Sequence, residues 1–172
     1  MVTVGIFALV VLITGSLYSL AQTSYNASED EMELVQNARV AYDRISREVR
    51  QSPEIATSLH PDPASSTDEI MFQNGHDNED INYIYYYLDG SELRRARLVY
   101  YFEEEPDIYV KYSSTNEDGD SPQEDVLQDR VVGEYFQDIE FWGGNGLVHA
   151  SSTLAKDKES FSLNSSVFSR NY

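Results

Sequence analysis

EDEMELVQNARVAYDRISREVRQ, residues 29–51, decides the fold of this chain. Leu34, Ala38, Ala41, Ile45 and Val49 recur at spacings of four, three, four and four, which is one apolar stripe of an α-helix. The positions between them are mostly polar. Asp43 lies four residues from both Arg39 and Arg47, and Glu48 lies four from Arg44, pairings that support an exposed helical face. Acids gather at the start (Glu29, Asp30, Glu31, Glu33) and arginines toward the end (Arg44, Arg47, Arg50), the order that suits the helix dipole. Ser28 suits an N-cap should the helix begin there. Pro53 ends it, because the residue before a proline avoids helical geometry.

The chain before this stretch is of another kind. Residues 1–28 hold no charged side chain, and Val2 to Ala21 is almost entirely apolar. About 20 such residues, as a helix, match the hydrocarbon thickness of a membrane. No basic residue precedes the run, so the charged region that opens a secretory signal peptide is lacking. The reading is a retained helical anchor. A signal peptide cleaved after Ser19-Leu20-Ala21 is the alternative. No proline or glycine lies between Ser16 and Ser52, so anchor and stripe read as one helix of roughly 75 Å. Gly5 and the Gly15-Ser16 pair soften its first half.

All 30 acids and all 12 bases of the 172-residue chain therefore fall in 29–172, with a formal net charge of −18. An acidic body repels nucleic-acid phosphates and anionic headgroups, so no nucleic-acid partner is expected. The absence of cysteine excludes disulfides, thiolate metal sites and cysteine nucleophiles.

Gln36-Asn37-Ala38-Arg39 followed by Val40-Ala41-Tyr42-Asp43-Arg44-Ile45-Ser46-Arg47-Glu48-Val49-Arg50-Gln51 resembles the helix end of type IV minor pilins and type II secretion pseudopilins, the W-type and J-type subunits most closely. Met1 to Leu9 is similar to the stretch that follows the prepilin cleavage motif of that class, and Phe161–Leu163 with Phe168–Asn171 is weakly similar to its last strand. The basic leader, glycine, phenylalanine and glutamate that open the class pattern do not occur here; set against the resemblance, the chain starts a few residues inside the mature helix, which fits a start at an internal methionine, a removed leader or a variant that lacks one. It implies a lollipop-shaped α+β subunit in three parts: an apolar transmembrane and filament-core helix at 1–28, an amphipathic continuation at 29–52, and a β-rich head at 53–172. Val4, Ile6, Phe7, Leu9, Val10, Leu12, Ile13 and Leu17 would form the membrane and filament-core surface. The stripe from Leu34 to Val49 would lie on the head. The resemblance further implies single-pass storage in the inner membrane with the head outside the cytoplasm, methylation of the processed N-terminus, and assembly with other pilin subunits into a cell-surface or periplasmic filament, near its tip.

In the body, strands are expected at Glu69–Gln73, Ile81–Leu88, Glu92–Phe102, Ile108–Tyr112 and Tyr135–Trp142, with a last hairpin pairing Leu147–Ala155 and Phe161–Phe168. Asp89-Gly90 marks a tight turn, and residues 113–125 an acidic loop. The sum is a mostly antiparallel sheet domain packed on a helix, an α+β arrangement.

Little chemistry is legible. His60, His76 and His149 are scattered and expected at the surface, without zinc spacing. No Gly-x-Ser-x-Gly elbow or phosphate-cradling loop occurs. Asn116–Asp120 resembles a calcium loop loosely, without the ligand spacing or closing glutamate of an EF-hand, and Asp77–Asp80 matches no metal motif. No cofactor is expected, calcium being the one candidate. The chain reads as a non-enzyme. The rivals are a membrane-anchored or secreted β-rich binding or adhesin domain, and a hydrolase with paired carboxylates.

Overall fold

The computed structural model describes residues 2–76 and 80–169, the side chains at 2–6 and 8–10 excepted. Helix α1 (Val2–Gln51) is unbroken and stops where Pro53 requires. Eight strands follow: β1 (Ile70–Gln73), β2 (Tyr83–Asp89), β3 (Glu92–Phe102), β4 (Glu105–Tyr109), β5 (Gln123–Gly133), β6 (Phe136–Gly144), β7 (Leu147–Lys156) and β8 (Glu159–Phe168). The architecture is α+β, with every strand pairing antiparallel.

Two sheets are present where the sequence pattern suggested one. The first runs β1-β2-β3, with β5 on the far edge of β3 and β4 continuing the lane of β2; the second runs β6-β7-β8. Thr67 joins them, exchanging backbone hydrogen bonds with Phe141 of β6 just before the chain enters β1. The tight hairpins use two-residue loops whose backbones match strand twist: Gly90-Ser91, Asn145-Gly146 and Asp157-Lys158, with positive φ at Gly90, Asn145, Gly146 and Asp157.

Alternation of half-buried with buried positions in β7, and of exposed with more buried positions in β8, turns Val148, Ala150, Leu154 and Val167 toward the helix. From the first sheet Ile70, Phe72, Ile84, Tyr86 and Leu93 face it too. Leu34, Ala38, Ala41, Ile45 and Val49 are all at most 2% exposed and sit between the two sheets. Each fully buried Leu, Ile or Val in this stripe stabilises the fold by about 1.5–3 kcal/mol. The alanines at 38 and 41 let the helix approach closely.

The outer face of the first sheet carries a second, tyrosine-built cluster. Tyr83 is fully buried and meets the rings of Tyr100 and Tyr112 edge-on, each at 5.5 Å.

Three expectations are corrected. The strand expected at 108–112 lies three residues earlier. The acidic loop expected to run through 125 gives way to β5 at Gln123. β5 itself, eleven residues long, was not anticipated. Its two apolar doublets, Val126-Leu127 and Val131-Val132, coincide with register shifts against β3 that leave Leu127 and Val132 unpaired. Each bulge inserts one residue and reverses the alternation, so no period of two survives in the sequence.

Candidate assembly surface

The helix divides at about residue 28. Below that point its stripe is buried; above it, the described side chains from Val11 to Asn26 are exposed, with the turn between β7 and β8 (Asp157–Glu159) facing Thr23, Asn26, Ala27 and Asp30. Phe7, Leu12, Ile13 and Leu17 are 71, 71, 52 and 61% exposed. Val4, Ile6, Leu9 and Val10, read with them as the core-forming surface, lie outside the described side chains. Among the described residues, no helix is long and apolar enough to cross a membrane.

Two hydroxyls of the uncharged half bond within the helix. Ser16 Oγ donates to Leu12 O at 2.9 Å and Thr23 Oγ1 to Ser19 O at 3.0 Å. A hydroxyl returned to the carbonyl four residues earlier needs no water, which suits a helix face immersed in apolar surroundings. Gly15 has open space where a side chain would stand, so no internal packing requires it.

A second exposed line runs along the helix. Val11, Tyr18, Tyr25 and Met32 stand seven residues apart, and Val40 extends the line along the outward face of the amphipathic half. The spacing was present in the sequence. It was hidden because attention to the buried stripe assigns the opposite face to solvent.

Two polar clasps fix how the body holds the helix. At the lower end, Glu48 is met by Arg95 Nε at 3.0 Å and by the Tyr86 hydroxyl at 2.6 Å, with Arg44 beside it at 3.4 Å. Arg95 and Tyr86 are directly paired across β2 and β3, so one helical carboxylate reads one register position of the sheet. At the waist, Lys156 Nζ stands 2.8 Å from Asp30 and 2.5 Å from Glu33, over the ring of Tyr135, whose hydroxyl donates to Glu33 at 3.1 Å. The hydrogen bond from Lys156, then that from Tyr135, holds the Glu33 carboxyl below its ordinary range. The waist clasp sits where the helix leaves the body.

The features weighed for chemistry stand apart. Among the described residues no cluster of histidine and carboxylate side chains could hold a metal. The Asn116–Asp120 turn closes on itself through Asp120 N to Asn116 Oδ1 at 2.8 Å; Asp77, Asn78 and Glu79 lie outside the described residues. His60 and His76 are exposed, whereas His149 is half-buried, stacked on Trp142 at 5.4 Å and hydrogen-bonded to Ser166.

No protein-family model, characterised protein or solved structure matches the chain. The surface must therefore be interpreted from its own geometry: a charge-free helical rod rising from an acidic body that grips its lower half at two places.

Proposed function

We propose that the chain is a filament subunit of the minor pilin or pseudopilin kind, held in the inner membrane by the upper half of α1 and then packed by that half against neighbouring subunits. The observation that carries this reading is the division of one continuous helix. Its lower stripe is buried by its own body, while its upper half is uncharged and largely apolar in sequence, and its described side chains, Phe7 and those from Val11 to Asn26, are exposed. An apolar helix of that length is held in lipid by burial, and a bundle of like helices offers a comparable setting. The internal bonding of Ser16 and Thr23 suits either environment. The resemblance of residues 36–51 to W-type and J-type helices favours a subunit that initiates the filament or sits near its tip.

The deciding experiment is the mass of the N-terminal peptide of the protein purified from its native cells. A processed, methylated terminus upstream of Met1 supports the filament reading. A terminus at Gln22 overturns it, because the apolar half would then be absent from the mature chain.

A further inference from the structure

Both sheets end in an open edge. Among the described residues β5 pairs only with β3, and β8 pairs only with β7. The two-residue hairpin closed by Lys156 and Glu159 sets the phase of β8: Ser160, Ser162, Asn164, Ser166 and Phe168 turn their backbone N–H and C=O groups away from β7. Exposed edges are normally guarded by charge, proline or a bulge. β8 has none of these. From Ser160 to Phe168 it holds no charged residue and no proline, and its pairing with β7 runs without a register shift.

Beside this edge lies a groove between β8 and the lower turns of α1, lined by Asp43, Arg47, Arg50, Ser165 and Phe168. Among the described residues Arg47 and Arg50 form no ion pair, although the body is strongly acidic. Phe168 is 59% exposed at its end. An extended, acidic segment with apolar side chains would suit this site: its backbone would extend the sheet, its acids would meet the arginines, and an apolar group would cover Phe168.

We infer that β8 is a strand-addition edge whose occupant is β5 of a second copy. β5 is eleven residues long against ten for β8 and is likewise open on its far side. β5 itself carries Glu124, Asp125 and Asp129 against one base, Arg130, with Glu124 accepting from Tyr100 and Asp129 paired with Arg94, and the loop before it adds Glu117, Asp118 and Asp120. Val126, Leu127 and Val131 are 51, 40 and 38% exposed on it. Its opening stretch, Gln123–Val126, pairs β3 without a bulge, so it presents a regular ladder. Joining β8 of one copy to β5 of the next is a head-to-tail contact, which leaves a free β8 at one end and a free β5 at the other and so continues in series. It concerns the body alone, and rests on the filament reading only for the expectation that copies meet in line.

The chain has no native cysteine, which makes the test direct. Full-length Asn164→Cys and Val126→Cys proteins, differently tagged and held in detergent micelles, are mixed and oxidised. A mixed 126–164 disulfide is expected, absent from either protein alone. It should be lost on adding Ser162→Pro to the first protein, since the ring removes an outward N–H and leaves the β7 ladder intact, and reduced by Arg47→Glu with Arg50→Glu. Unchanged far-UV circular dichroism and melting show that these variants fold. A 164–164 dimer, or no mixed disulfide, overturns the proposal. A mixed disulfide that persists in a Leu17→Glu background supports the strand contact even where the helix reading fails. Filaments that form without the 126–164 contact overturn the contact and spare the helix reading.

Discussion

Glu48 is the residue on which the seating of the helix turns. Its carboxylate and the Arg95 guanidinium are 12 and 9% exposed, and removing one partner of such a pair leaves the other buried without its counter-charge. Glu48→Ala is expected to lower stability by about 3 kcal/mol, read by urea denaturation; a loss no larger than that of an exposed alanine substitution would show the pair to be ornamental. Gly75 acts by closeness: a β-carbon there would stand 1.7 Å from the carbonyl oxygen of Gln51. Gly75→Ala should cost about 1–3 kcal/mol as the loop is pushed off the helix end, and an unchanged denaturation midpoint would contradict this. Burial pushes the Tyr42 hydroxyl up to about 12, and burial likewise raises those of Tyr83, Tyr86 and Tyr100. Because the folded values lie above the unfolded value of about 10, the protein holds these protons longer than the unfolded chain does. Their contribution is complete below pH 10 and is lost as pH rises, about 2 kcal/mol for Tyr42 alone by pH 12. Denaturation at intervals from pH 8 to 12 should show that fall, and a flat profile would exclude it. Neither Glu48 nor Tyr42 was singled out in the sequence for these roles, because their partners, Arg95 and the Leu163 carbonyl, come from distant strands.

Among the elements, α1 was the most legible and β5 the least. The stripe from Leu34 to Val49 repeats within a few turns of one helix, so its period is visible without knowledge of what covers it. The hairpin of β2 and β3 was legible for the same reason: Asp89-Gly90 is a local turn signal between two strand-like runs. β5 has neither advantage, since its alternation is broken by two bulges imposed by β3. The waist clasp yields a prediction at this scale. Lys156→Met is expected to leave global unfolding nearly unchanged while speeding amide hydrogen exchange across residues 29–34, where the helix leaves the body. Since the Glu33 carboxyl is lowered, its part of the clasp is present above the ordinary carboxylate value and is lost as pH falls through the lowered one. The same exchange experiment, carried down in pH through the lowered Glu33 titration, should move the unsubstituted chain toward the Lys156→Met pattern. Protection of 29–34 that is indifferent to both changes would remove the clasp from the account.

At the scale of the whole molecule, a helix gripped at one end, with exposed apolar side chains from Val11 to Leu20, would separate folding from the association proposed for it. Leu12 and Leu17 are 71 and 61% exposed and make no contribution to the body's core. Leu12→Glu with Leu17→Glu should therefore leave the melting of the body within about 0.5 kcal/mol of the parent and abolish association of the upper helices, read by sedimentation in detergent and by filament formation in cells. Loss of the body's fold in this variant would mean that the two halves of α1 are coupled after all. The candidate surface was legible in outline, because the absence of charge from residues 1–28 is a property of composition. Its outward line through Tyr18, Tyr25 and Met32 emerged only when the opposite face was seen to be occupied.

By itself the sequence determined what depends on neighbours along the chain: one long helix with an apolar upper half and an amphipathic lower half, the antiparallel hairpins, and an acidic body without cysteine chemistry. The tertiary structure decided what depends on residues far apart: the division into two sheets joined at Thr67, the bulged edge β5, the bare edge β8, and the clasps of Glu48 and Lys156. The physical reason is one of range. Periodicity and turn chemistry are set by steric and hydrogen-bonding choices within a few residues, whereas an ion pair or a sheet edge exists only once loop closure has brought distant segments to one place.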